Sequence, residues 1–185
     1  MKILGISGSL RSRSYNTALL RTAKTLLPGE VTLEIVDIAS LPLYSVDMEA
    51  NPPEAVRVLK SKIKNADAIL FATSEYNRSI SAALKNAIEW GNRPADDNSW
   101  DGKPAAIISA STGPRGGVRA QMLLRQICVD LNVFVMNGPE LLLGFAAQAF
   151  DADLRLSDET ARMRLKRVLD ALIAWSAKPW PKEQD

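Results

Sequence analysis

Short apolar runs alternate with segments of helical period along most of this chain. Residues 3–6, 68–72 and 105–110 are strand-length runs, apolar throughout except for Ser109 in the last. Continuous rather than alternating apolarity marks strands buried on both faces. Residues 31–36 alternate partly and read as a further strand, as do residues 133–136. Between these runs the spacing changes to three and four. Leu19, Ala23, Leu26 and Leu27 form one stripe, and Pro28-Gly29 stops it. Val56, Leu59 and Ile63 form a second helix, Leu84, Ala87 and Ile88 a third, residues 117–130 a fourth, and Ala161 to Ile173 a fifth. Residues 38–53 carry Pro42, Pro52 and Pro53 and read as a loop, and residues 92–102 as a polar one. Residues 137–156 are irregular, with room for one short extra strand. The Pro-rich, charged tail from Lys178 is expected to fray.

Five β/α repeats imply a parallel sheet with helices on both faces, joined by right-handed crossovers. The 185 residues suit one domain with a full core. That is too short for a six-stranded dinucleotide fold plus a substrate domain. The five-stranded flavodoxin-like order 2-1-3-4-5 fits better. No repeat or linker divides the chain, so residues 1–177 are expected to form one domain and 178–185 a tail.

Composition removes several kinds of chemistry. There is no histidine, so Ser-His and Cys-His nucleophiles and histidine-bound metals are absent. One cysteine, Cys128, allows neither an internal disulfide nor a Cys cluster for a metal, and it reads as a buried helical thiol. A net charge of +2 is too small to argue for nucleic acid or for a strongly charged redox carrier. Met1-Lys2 passes straight into a strand, leaving no room for a signal peptide, and no apolar run reaches the ~18–20 residues of a membrane span. A cytoplasmic protein acting on a small molecule, with neither nucleic acid nor membrane as partner, is expected.

In a sheet of this order, ligands sit beyond the carboxyl ends of the strands, at the switch point between strands one and three. Three loops should meet there. Residues 9–16 lack the Gly-Lys-Ser/Thr ending of a Walker loop and do not match GxGxxG. What remains is a hydroxyl-rich loop with Arg11, leading into a helix N-terminus. Ser9, Ser14 and Asn16 can donate to phosphate oxygens, and Arg11 can bind bidentately. One monophosphate matches this inventory better than a nucleoside triphosphate with magnesium. An ordinary polar turn capped by Ser14 is the alternative, and Arg13 reads as a solvated charge. In the second loop, residues 74–79, Tyr76 could pack on a flat ring; Glu75 could equally be a surface carboxylate or a helix cap. The third loop, residues 109–117, holds Gly113, Gly116 and Gly117, which allow close backbone approach.

These residues resemble the NADPH-dependent FMN reductase family, and within it the small bacterial chromate and quinone reductases. The resemblance rests on G-S-L-R-S-R-S-Y-N at 8–16, E-Y-N-R-S-I at 75–80 with L-K-N-A-I-E-W at 84–90, and G-G-V-R-A-Q at 116–121 with L-R-Q at 124–126. V-M-N-G-P-E at 135–140 adds to it. It implies a flavodoxin-like fold that binds FMN non-covalently, with no metal. Ser9, Arg11, Ser14 and Asn16 would hold the phosphate, with backbone from Leu10 to Tyr15. Glu75, Tyr76, Asn77 and Arg78 would lie against the isoalloxazine, and Ser111, Gly113, Gly116 and Gly117 would close the pyrimidine side. Family members form homodimers or homotetramers, and the helices after the second and third loops are the implied contact faces. Two departures stand out: Ser74 and Ser81 occupy positions where the family usually carries proline.

The implied reaction passes hydride from NAD(P)H to flavin N5 and then to a quinone, a free flavin or another oxidant such as chromate, with no protein side chain as the catalytic group. Two alternatives stay open on the residues alone. One is a flavin-binding electron carrier without NAD(P)H turnover. The other is a non-catalytic module that binds a phosphate-bearing metabolite.

Overall fold

The three strongest apolar runs form the three central strands. A computed structural model describes residues 1–181. Strand β1 (Lys2–Ser7) leads through the first loop to helix α1 (Tyr15–Leu26), then β2 (Thr32–Val36), α2 (Glu54–Lys64) and β3 (Ala68–Thr73). A hairpin follows, β4 (Glu75–Tyr76) and β5 (Ser79–Ile80), and then α3 (Ala82–Asn92) and β6 (Pro104–Ala110). The chain continues as α4 (Val118–Asp130), β7 (Phe134–Val135), β8 (Leu141–Leu143), a short α5 (Ala146–Ala149) and α6 (Glu159–Ser176).

The sheet runs β2-β1-β3-β6-β7 and is parallel throughout. This is the expected order, with one refinement. The fifth position is shared: β7 pairs the first part of β6, at Pro104 and Ala105, and β8 pairs the last part, at Ile108 to Ala110. The irregular stretch after residue 136 thus returns to the sheet beside the end of β6. There it supports the third loop.

Both faces of the sheet are covered. Leu19, Leu20 and Ala23 of α1 pack with Leu165, Val168, Leu169 and Leu172 of α6 on one face. Val56, Leu59 and Ile63 of α2 pack with Leu84, Ala87 and Ile88 of α3 and with Leu124 and Cys128 of α4 on the other. Every residue of β3 and β6 is buried, as continuous apolar runs require. The polar loop before β6 also carries a core residue. Trp100 is fully buried on Phe71, with ring centroids 5.8 Å apart.

Helix starts follow local chemistry. Ser14 Oγ accepts from Thr17 N at 3.2 Å, and Ser81 Oγ accepts from Leu84 N at 3.1 Å. Ser81 therefore caps α3, a role that proline could not fill with a side chain. Ser81→Ala is expected to destabilise the fold by about 1 kcal/mol, the usual value of such a cap. A urea midpoint shift at unchanged slope is the check.

Past Lys178 the described residues still make contacts with the body of the fold. Trp180 stacks on Phe134 at 4.6 Å and lies 4.3 Å from Trp175, and Trp175 Nε1 donates to Phe134 O at 2.7 Å. Residues 182–185 of the tail lie outside the described residues.

Candidate functional site

β1, β3 and β6 end side by side, so the loops that follow them meet. They enclose a cleft of about 120 Å³. Ser9, Arg11, Ser14, Tyr15 and Asn16 line it from the first loop, Ser74, Glu75 and Tyr76 from the second, and Ala110, Ser111 and Thr112 from the third.

The first-loop wall is rich in unused donors. The backbone N–H groups of residues 12–16 donate to no acceptor among the described residues. They surround the N-terminus of α1, where the helix dipole adds positive potential. Arg11 has no hydrogen bond or ion pair through its guanidinium among the described residues; only its backbone N–H is engaged, at 3.4 Å from Ser9 Oγ. Arg13 turns away, with Nη2 donating to Ala152 O at 2.8 Å. Leu10 is exposed and borders a separate cleft beside β2.

The second loop is a two-residue hairpin. Asn77 and Arg78 both have positive φ, 49° and 66°, as a twisted tight turn requires. They sit at its tip, off the cleft wall, while Tyr76 at 50% exposure stands at the rim. Glu75 lines the cleft, yet its Oε2 accepts from Arg119 N at 3.1 Å and from Ala120 N at 3.3 Å. The carboxylate therefore caps α4, which lacks a side-chain cap of its own at Gly117.

The third loop is held by backbone bonds. Ser111 N donates to Leu143 O at 2.9 Å, Ala146 N donates to Ser111 O at 2.9 Å, and Phe145 N donates to Gly113 O at 3.1 Å. Gly116 and Gly117 have φ of 60° and 86°, and a Cβ on Gly116 would stand 2.7 Å from the carbonyl carbon of Leu142. These two glycines make a buried turn beneath the site. Ser111 and Thr112, not the glycines, face the cleft. Ala110 and Thr112 are wall residues that the sequence does not single out, and Ser74, notable in the sequence only as a departure from the family's proline, is a wall residue too. Adjacency was the available signal, since Ser74 directly precedes the Glu-Tyr-Asn motif and Thr112 follows Ser111.

The chemistry of the wall fits a flavin mononucleotide end-on. At about 120 Å³ the cleft is smaller than the ~300–1,000 Å³ that encloses a whole drug-sized ligand. A cleft of this size would take a phosphate and a short polar chain rather than a whole flavin. Free N–H groups, the Ser9 and Ser14 hydroxyls and one guanidinium form a donor set for a dianion. The single carboxylate on the wall, Glu75, is already neutralised in part by the α4 amides.

Cys128 belongs to the opposite role. It is buried on α4, and burial pushes its thiol up to about 12. In the native protein at pH 8 it is expected to resist a thiol reagent that labels exposed cysteines, and to react only on denaturation. Labelling followed by mass spectrometry is the check.

Comparison with known proteins gives consistent matches. The family model described as NADPH-dependent FMN reductase matches residues 1–148. An NAD(P)H-dependent FMN reductase of Pseudomonas aeruginosa is 48% identical over 176 residues, covering 95% of each chain. A quinone reductase of Pseudomonas putida is 43% identical, covering 92% of this chain and 91% of the relative. Among solved structures, the flavoenzyme NAD(P)H:(acceptor) oxidoreductase FerB of Paracoccus denitrificans superposes with a TM-score of 0.88 at 37% identity, covering 95% of this chain and 96% of its own.

Proposed function

The chain belongs to the NADPH-dependent FMN reductase family, and on that premise we propose that its three-loop cleft binds FMN and receives NAD(P)H and a small oxidant in turn. The protein is an FMN-dependent NAD(P)H oxidoreductase with a flavodoxin-like fold. Bound FMN would supply the hydride acceptor and donor, a chemistry that no amino-acid side chain offers.

The protein's own part is binding and placement. The N–H groups of residues 12–16, the Ser9 and Ser14 hydroxyls and Arg11 hold the phosphate. Tyr76, Ser111 and Thr112 flank the ring at the rim. Glu75 ties the hairpin of the second loop to the start of α4, which follows the third. The observation that carries this reading is the row of unused donors at the N-terminus of α1.

Quinones are the proposed acceptor class, with free flavin and chromate as further oxidants. The protein is further proposed to act in the cytoplasm as a homodimer or homotetramer. No described helix is long and apolar enough to cross a membrane. Met122 and Val129 stand exposed on α4, and a groove of about 790 Å³ runs between α3 and α4. Both features support this face as the contact between copies.

Steady-state oxidation of NADH and NADPH by the FMN-loaded protein, with quinones, free flavin and chromate, tests the function. Turnover that depends on added quinone is expected. Flavin binding without turnover of either nucleotide would instead indicate an electron carrier.

A further inference from the structure

Asn16 sits on the first turn of α1, inside the phosphate loop, and would be taken for a phosphate ligand. Its carboxamide has no atom left for that. The residue is 5% exposed. Oδ1 accepts from Ala110 N at 2.9 Å. Nδ2 donates to Ala110 O at 3.0 Å and to Ser74 Oγ at 3.3 Å. One carbonyl oxygen and two N–H bonds are thus all engaged, and only the backbone N–H of Asn16 remains for an anion.

The partners of this side chain matter more than their number. Ala110 is the last residue of β6, where the third loop begins, and Ser74 follows β3, where the second begins. We propose that Asn16 is a positioning residue that ties the second and third loops to the start of α1 and so holds the ring platform in shape. Ser74 completes the clamp in this chain. A proline at 74, the residue usual in the family, has no hydroxyl to receive the second N–H. The two departures noted at 74 and 81 therefore have separate effects: Ser81 caps a helix, and Ser74 ties the ring platform to α1.

The inference rests on the reading that this cleft binds FMN, and a pair of flavins separates the two. Riboflavin carries the ring and side chain of FMN without the phosphate. Dissociation constants for both are measured by fluorescence quenching on the apo-protein. A clamp predicts that Asn16→Ala weakens FMN and riboflavin by the same factor, roughly 5- to 50-fold, the range expected when buried hydrogen bonds are broken. A phosphate ligand predicts loss for FMN alone, and that result would overturn the proposal.

Ser74→Ala removes one bond of the clamp and is expected to weaken both flavins by a smaller common factor. Ser74→Thr keeps the hydroxyl and is expected to restore wild-type binding, along with the visible circular dichroism of the bound flavin. Ser74→Ala that leaves both affinities and this spectrum unchanged would also overturn the proposal. Amide exchange at Ala110 is expected to speed up in Asn16→Ala while the thermal midpoint of Ser74→Ala stays near wild type. Wild-type protein that binds neither flavin would overturn the cofactor reading, and this proposal with it.

Discussion

Arg11→Ala is expected to weaken FMN binding by about 1.5–3 kcal/mol, the range for a hydrogen bond to a charged group, or roughly 10- to 150-fold in dissociation constant. The guanidinium has no carboxylate or carbonyl partner among the described residues, so its removal strands no protein group. The loss falls on the ligand alone. Riboflavin, which lacks the phosphate, should bind the variant as it binds the wild type. Arg11→Lys should recover part of the loss, because it keeps the charge without the planar fork. The wild-type preference for FMN over riboflavin should shrink with added salt, since an exposed ion pair is screened. Fluorescence titration of the apo-protein at two ionic strengths measures all of this. An FMN affinity unchanged by Arg11→Ala would place the phosphate elsewhere.

Trp100→Ala is expected to lower stability by about 3–5 kcal/mol, the range for removing a buried aromatic side chain. Trp100 comes from the polar segment after α3, yet it is fully buried. It fills space between Phe71 of β3 and the end of α3, and its Nε1 donates to Ile88 O at 3.0 Å. The fit is close enough that a Cβ on Gly91 would lie 2.3 Å from Nε1. Alanine would leave a large cavity and remove the second hydrogen bond to Ile88 O, which also lies within α3. Trp100→Phe should fall between the two, keeping most of the packing while losing the hydrogen bond. Urea denaturation with linear extrapolation is the measurement. A loss below about 1 kcal/mol would show that the segment is a surface loop after all.

The central strands and five long helices were legible because their patterns are local. Residues 68–72 read as a buried strand from five consecutive apolar side chains. The stripe of α6 read as a helix from spacing alone. What escaped depends on partners far along the chain. The immediate neighbours of Trp100, Asn98, Ser99 and Asp101, are polar and do not mark it as core; Phe71 and the end of α3 supply the burial. The β4–β5 hairpin reads as loop in the sequence because Asn77-Arg78 lacks the glycine that usually marks such a turn. A short extra strand after residue 137 is legible, but its place is not: β8 shares the edge of β6 with β7 and pairs the far end of β6.

The site followed the same division. That three loops would meet, and that the first would favour an anion, came from strand order and helix polarity. The individual roles did not. Asn16 bonds to residues 58 and 94 positions away, and Glu75 to amides 44 and 45 positions away. Spacing within a motif shows which residues are near a ligand. It does not show which of them are already engaged by the fold.

The most direct test of the account is anaerobic mixing of the FMN-loaded protein with one equivalent of NADPH, followed by one equivalent of a benzoquinone. The visible absorbance of the bound flavin should bleach in the first step and return in the second, with one flavin per chain. A flavin that keeps its colour with both NADPH and NADH would contradict it.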